Sequence, residues 1–263
     1  SGEPVEITSK KGAMPRYLSD MAALSAPFPV TIASGTRRWL SIRNADAVTL
    51  VTAIATSFVN YQDISGDPDL LTILKADIKK RYNKPGNVFL SLVHRLDRPV
   101  GGVMVLARTS KGASRLSEQI REGIFQKTYL CVVNGSPSPK KGRLEHFLEK
   151  DRDKNIVKTA EGENKDAKKA VLEYETLGKS GNLSLIRVNL HTGRSHQIRV
   201  QLAEIGCPLY GDRKYGIETS KTGQQIALWS HEIAFTHPTG KHQLRFTSTP
   251  PDKKPWNLFS SIF

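Results

Sequence analysis

Three clusters in this sequence combine residue types with chemical reach. The first is Val93-His94-Arg95-Leu96-Asp97-Arg98-Pro99. It presents a carboxylate and guanidinium groups just before a proline, where a strand ends and feeds a loop, a common place for catalytic side chains. Read alone, the same residues also describe a surface ion pair and a turn. The second is Leu190-His191-Thr192-Gly193-Arg194-Ser195-His196-Gln197-Ile198-Arg199. A strand ends there at a glycine turn, and a helix is expected from about Ser195. The backbone N–H groups and positive dipole end of such a helix start suit a phosphate. Arg194, His196 and Arg199 add polar or cationic reach, and Arg199 lies one turn in, able to turn back toward a buried carboxylate. An ordinary basic helix start has the same pattern. The third is Lys127-Thr128-Tyr129, where Lys127 and Tyr129 share one face of a strand. A cation beside an aromatic suits a nucleotide, although most strand tyrosines simply pack.

Other chemistries find little support. The seven histidines (94, 146, 191, 196, 231, 237 and 242) have no HExxH spacing and no pairing with Cys131 or Cys207 that suits a metal. No Walker loop or GxGxxG occurs, so no nucleotide cofactor is implied. Ser110 and Ser195 lack the context of a nucleophile elbow.

The elements that must position these clusters are readable in part. Asp69–Lys84 carries Leu70, Leu71, Leu74 and Ile78 at helical spacing and stops at Pro85-Gly86. Val88–His94 and Gly102–Ala107 read as strands. Ser110–Gly123 reads as a helix with Ser110 as N-cap and Gly123 as its close. Tyr129–Val133 is a strand. Residues 135–168 read as short exposed strands with a mobile loop around Glu161–Lys165. Ala170–Thr176 and Leu183–Leu190 alternate as strands. Residues 195–206 form a helix with Ile198, Leu202 and Ile205 on one stripe. Ile226–Phe235 and His242–Thr247 complete the set. Many strands, few helices and no regular βαβ alternation predict an α+β fold with a largely antiparallel mixed sheet and flanking helices. Residues 1–45, without clear period, read as an N-terminal extension, and 46–263 as one catalytic domain.

The chain has 263 residues, 39 basic and 25 acidic, a formal net charge of +14. That surplus predicts a polyanionic partner, nucleic acid before an anionic membrane. Lys75, Lys79, Lys80 and Arg81 near one helix, and Lys140, Lys141 and Arg143 beside an exposed strand, are the expected phosphate contacts. The longest apolar-leaning run, Val48–Val59, is too short and polar to span a bilayer. Two cysteines make no disulfide framework, so an intracellular setting, mitochondrion or cytoplasm, is expected. The chain opens on Ser1 rather than Met, as a processed or trimmed chain does.

Taken together, the clusters resemble the RluA-type family of RNA pseudouridine synthases. HRLDRPVGGVMVLARTSKGASRLSEQ (94–119), KTYLCVVNG (127–135) and LHTGRSHQIRVQLAEIGCPLYGDRKYG (190–216) look like its three blocks in order, and IAFTHPTG (233–240) like its ending. The resemblance implies isomerisation of uridine to pseudouridine in ribosomal or transfer RNA, without metal or organic cofactor. It implies Asp97 as the essential carboxylate and Arg199 as the basic partner that orients it and keeps it ionised. Tyr129 would lie against the target uracil, and Arg95 would enter the space that the uridine leaves. Lys127, Arg194 and His196 would contact RNA. The altered 50–63 stretch and the long N-terminal extension favour a rival reading, an RNA-binding ribosome-assembly factor that keeps the fold without turnover, and the chain departs from the family pattern at two places. Val100-Gly101-Gly102 replaces a Thr-Ser-Gly-like run, and 50–63 (LVTAIATSFVNYQD) lacks the family's Lys-Pro.

Overall fold

Every residue of the strand Gly101–Ala107 is buried, and the loop bearing Asp97 leads straight into it. The structure, a computed structural model, describes residues 30–34, 38–44, 48–53, 70–97, 99–162, 164–216 and 225–263, with side chains from Leu70 onward except that of Arg81. Most of the expected extension 1–45, and positions 54–63 of the departing stretch, lie outside the described residues. The chain divides into two compact units: the first runs through Phe125 and takes in Ala234–Ser248, and the second holds Gln126–Ile233 and Thr249–Phe263.

In the first unit, β1 (Val30–Ser34), β2 (Arg38–Asn44), β3 (Val48–Ala53) and β5 (Gly101–Ala107) form an antiparallel run, and the short β4 (Ser91–Leu92) also pairs β5. Helix α1 spans Leu70–Arg81, with Leu70, Leu74 and Ile78 buried, as the spacing predicts. Helix α2 (Ser110–Arg121) packs against β5. Its N-cap is Thr109 rather than the expected Ser110: the Thr109 hydroxyl accepts the Gly112 N–H at 3.0 Å, the role that satisfies a first-turn donor. Gly123 follows α2 at φ +75°, a left-handed conformation that costs glycine little. Strand β11 (Leu228–Thr236) ends in this unit and turns into β12 (Gln243–Thr247). The Gln119 amide ties α2 to that turn, donating to Thr236 O (2.8 Å) and accepting from Thr236 N–H (2.9 Å).

In the second unit the strand order is β6 (Gln126–Asn134), β10 (Leu183–Leu190), β9 (Ala167–Ser180), β7 (Lys141–Asp151) and β8 (Ile156–Ala160), all antiparallel. Strands β7 and β9 are longer than expected. Their charged, exposed residues hide the apolar period, and pairing on both sides carries them past it. A bulge at Leu177 shifts the β9–β10 register. Of the loop expected around 161–165, Asn164 makes a tight turn, its Oδ1 accepting from the Asp166 and Ala167 N–H groups at 2.8 Å each. Helix α3 (Gln197–Glu204) packs on β7 and β8, and the terminal 3-10 segment (Trp256–Ile262) packs on β9. The observed architecture is thus the α+β, mostly antiparallel arrangement that the sequence predicts.

Candidate active site

In the first unit, Asp97 lies half-buried in the loop between β4 and β5, and its carbonyl accepts the Val100 N–H at 2.9 Å. Leu96 points inward, 7% exposed, and Arg95 outward. The loop is anchored through His94. Its Nε2 accepts the Val105 N–H at 3.0 Å, which requires that nitrogen to be deprotonated, and its ring packs 5.4 Å from Phe125. Sequence reading gave His94 no role. Its position before the Arg-Leu-Asp run was the available signal.

In the second unit, Tyr129 lies on β6 opposite Val188 and is 7% exposed. Lys127 lies two residues earlier on the same face and is half-buried. Burial lowers its ammonium pKa from the ordinary 10.5, because desolvation penalises the charged form. A Cβ placed on Gly193 would lie 3.3 Å from Lys127 Nζ. The third cluster and the turn of the second therefore meet, and Gly193 leaves room for the ammonium.

The turn itself is built by Gln197, which is 3% exposed. Its Oε1 accepts from Thr192 Oγ1 (2.8 Å) and from the Arg194 N–H (3.0 Å), while its Nε2 donates to Val171 O (3.0 Å). The Thr192 hydroxyl accepts the Val171 N–H at 2.8 Å. This corrects one expectation. The helix begins at Gln197 rather than Ser195, and the Arg194 N–H offered for a phosphate is already bound to Gln197. Arg194 is exposed, with its Nε donating to Lys169 O at 2.9 Å.

Arg199 is buried and meets Asp212. Its Nε donates to Asp212 Oδ2 and one terminal nitrogen to Oδ1, each at 2.8 Å, a bidentate fork. Asp212 Oδ1 also accepts the N–H groups of Lys214 (2.9 Å) and Tyr215 (3.2 Å). Burial pushes the Asp212 carboxyl up, but the Arg199 guanidinium and these two N–H groups outweigh it and hold the carboxyl below its ordinary value. The Arg199 guanidinium lies 5.0 Å from the Tyr215 ring centre. Tyr215 Oη accepts the Val157 N–H at 2.8 Å and lies 2.6 Å from His196 Nδ1. His196 takes a left-handed conformation (φ +52°), which turns the chain into α3. Sequence reading placed Asp212 and Tyr215 inside the third block without a role for either. A lone Asp after glycine carries no spacing signal, since its partner lies thirteen residues away across a helix. Among the described residues no group of three His, Cys, Asp or Glu is placed to hold a metal, and no helix is long and apolar enough to cross a membrane.

The family model for RNA pseudouridylate synthase matches residues 60–204, more than half of the chain, and the chain belongs to that family. An uncharacterised RNA pseudouridine synthase of Bacillus subtilis is 32% identical over 160 residues, 61% of this chain and 55% of that protein. Ribosomal large subunit pseudouridine synthase C of Rickettsia bellii is 30% identical over 181 residues, 64% and 60% of the two chains. The tRNA pseudouridine synthase C of Haemophilus influenzae is 30% identical over 174 residues, 59% and 72%. The chain thus spans little more than half the length of the first two. The solved structure of human RNA pseudouridylate synthase domain containing 4 matches with a TM-score of 0.65 at 21% identity, covering 79% of this chain and 87% of that one. That likeness bears on fold.

Proposed function

We propose that this chain isomerises uridine to pseudouridine within structured RNA, ribosomal or transfer. The observation that carries the reading is the fixed Arg199, held bidentately by Asp212 inside the block that resembles the family's third. Asp97 is the essential carboxylate, Tyr129 lies against the uracil, and Arg199 is the basic partner. In the reaction the bond from C1′ to N1 breaks, the base turns, and C1′ joins C5. The C5 proton leaves and N1 gains one, so the product is an isomer and no redox partner is consumed. A stacked base is out of reach, so the uridine must flip, at about a few kcal/mol. Arg95 enters the space it leaves, and Lys127, Arg194 and His196 contact the RNA. The charge of +14 supplies phosphate contacts that offset the flipping cost.

The second reading, an assembly factor on ribosomal particles without turnover, is favoured by Val100-Gly101-Gly102 in place of a hydroxyl-bearing run. One experiment separates the two: pseudouridine is mapped in cellular RNA with the wild-type chain, with Asp97→Asn and with no chain. The enzyme reading expects sites that vanish in the last two samples while Asp97→Asn still binds RNA. Sites that persist with Asp97→Asn would remove Asp97 from its role. A wild-type chain that makes none leaves the assembly reading.

A further inference from the structure

The second unit holds a cavity of about 250 Å³ between the start of β11 and the segment Pro251–Trp256, lined by none of the residues assigned above. Its floor is apolar and aromatic: Leu228, Trp229 and Trp256 are 5%, 3% and 4% exposed. Its rim is polar and cationic. Gln225 is half-buried, Lys253 and Lys254 are exposed, and Lys253 Nζ donates to Gln225 Oε1 at 2.8 Å, which fixes the amide at the mouth. Among the described residues the lining includes no carboxylate, and the neighbouring Asp252 is exposed and outside the lining.

We propose that this cavity takes one nucleotide of the RNA substrate other than the uridine that reacts. Its base enters against Trp229 and Trp256, its polar edge meets the Gln225 amide, and its phosphate meets Lys253 and Lys254. The volume lies just below the usual range for small-ligand pockets, about 300–1,000 Å³, which suits one base. Aromatic walls with adjacent cations are the combination that holds unstacked bases and their phosphates. The apolar, aromatic floor beside exposed lysines suits a base and its phosphate better than a metal ion. The proposal rests on the RNA reading given above. It adds that the chain grips its substrate at two nucleotides, so the base in the cavity helps to select the uridine within reach.

The chain has three tryptophans, Trp39, Trp229 and Trp256. Trp39→Phe leaves the two cavity indoles as reporters. This variant is titrated with a single-stranded RNA of about six nucleotides, the scale of one stacking platform, and separately with inorganic polyphosphate. RNA is expected to quench the indole emission to saturation, and polyphosphate to leave it unchanged. Lys254→Glu changes an exposed side chain, and an unchanged urea midpoint is expected to show that the fold is kept. In the Trp39→Phe background it is expected to weaken RNA binding about tenfold and remove the quench, the scale of one lost stacked base. Gln225→Ala is expected to alter which of oligo-U, oligo-A and oligo-C quenches best. RNA binding without quenching, equal quenching by polyphosphate, or unchanged affinity in Lys254→Glu would each overturn the cavity site. Those results leave Asp97-dependent pseudouridine formation standing. A chain that neither binds RNA nor forms pseudouridine overturns both readings.

Discussion

Arg199 and Asp212 meet through two hydrogen bonds of 2.8 Å, with side chains 9% and 1% exposed. The carboxylate cancels the guanidinium charge locally, and it uses two of the five N–H donors. Arg199 therefore enters its site as a rigid, oriented donor fork rather than as a bare cation. Two backbone N–H groups and the Tyr215 ring complete the cage. A buried ion pair is stable only when its remaining lone pairs are satisfied in this way.

Asp212→Asn keeps the shape and removes the charge. Removing one partner of a buried pair is expected to cost about 3–5 kcal/mol, because the other charge stays buried. The urea midpoint should fall and pseudouridine formation should drop sharply, while Asp212→Glu should restore part of both. The pH sign follows from a carboxyl held below its ordinary 3.8. Its stabilisation is full above 3.8 and is lost as pH falls through the lower folded value. Urea titrations from neutral to strongly acidic pH should show that loss in the wild type and not in Asp212→Asn. Parallel curves would show that the pair contributes nothing to the fold.

Lys127 is expected to serve binding at the expense of stability. Its pKa is lowered by burial, so the charged form is penalised in the folded state. The penalty is present below the folded value and is relieved as pH rises from there toward 10.5. Lys127→Met should therefore be at least as stable as the wild type at neutral pH. It should also flatten the log–log salt dependence of RNA binding by about 0.7 to 0.9, one phosphate contact. Gly193→Ala should act in the same direction more weakly, since its Cβ would come 3.3 Å from the movable Nζ. A clear fall in the urea midpoint of Lys127→Met would show that the ammonium is structural instead.

Local periodicity carried much of this fold. Helix α1 matches its apolar spacing, and β10 runs from Leu183 to Leu190 as the alternation predicts. What escaped is long-range. The cap moved by one residue because both Thr109 and Ser110 carry a hydroxyl, and only backbone geometry chooses between them. Asp97, Tyr129 and Arg199 stand out in the sequence because they lie in recognisable blocks. Asp212, Tyr215 and Gln197 lie in the third block too, but the resemblance attaches no role to them and their partners are made by folding. Asp212 is a carboxylate waiting for a guanidinium thirteen residues back, and Gln197 an amide bracing a turn that precedes it.

The expectation about Lys141 and Arg143 must be revised. On the exposed face of β7, β9 and β10 these cations face carboxylates. Lys141 lies 2.7 Å from Glu175, which also meets Arg187 at 3.4 Å. Arg143 lies 2.8 Å from Glu145 and 3.3 Å from Glu173, and Lys169 lies 2.9 Å from Glu145. The register puts Lys141 opposite Glu175 and Arg143 opposite Glu173, so the ladder is set by strand pairing. Hydrogen bonding from Lys141 holds the Glu175 carboxyl below its ordinary value, so the carboxylate stays charged at neutral pH. Four cations against three carboxylates leave this face little net charge with which to attract a phosphate. Lys141→Ala combined with Arg143→Ala is therefore expected to change the salt slope of RNA binding by less than one phosphate contact, about 0.9. Glu175→Gln, which uncovers Lys141 and Arg187, should instead tighten RNA binding and steepen the slope. Both are read by RNA-binding titrations at several salt concentrations. A slope flattened by two contacts in the double variant would place RNA on this sheet face and restore the original expectation.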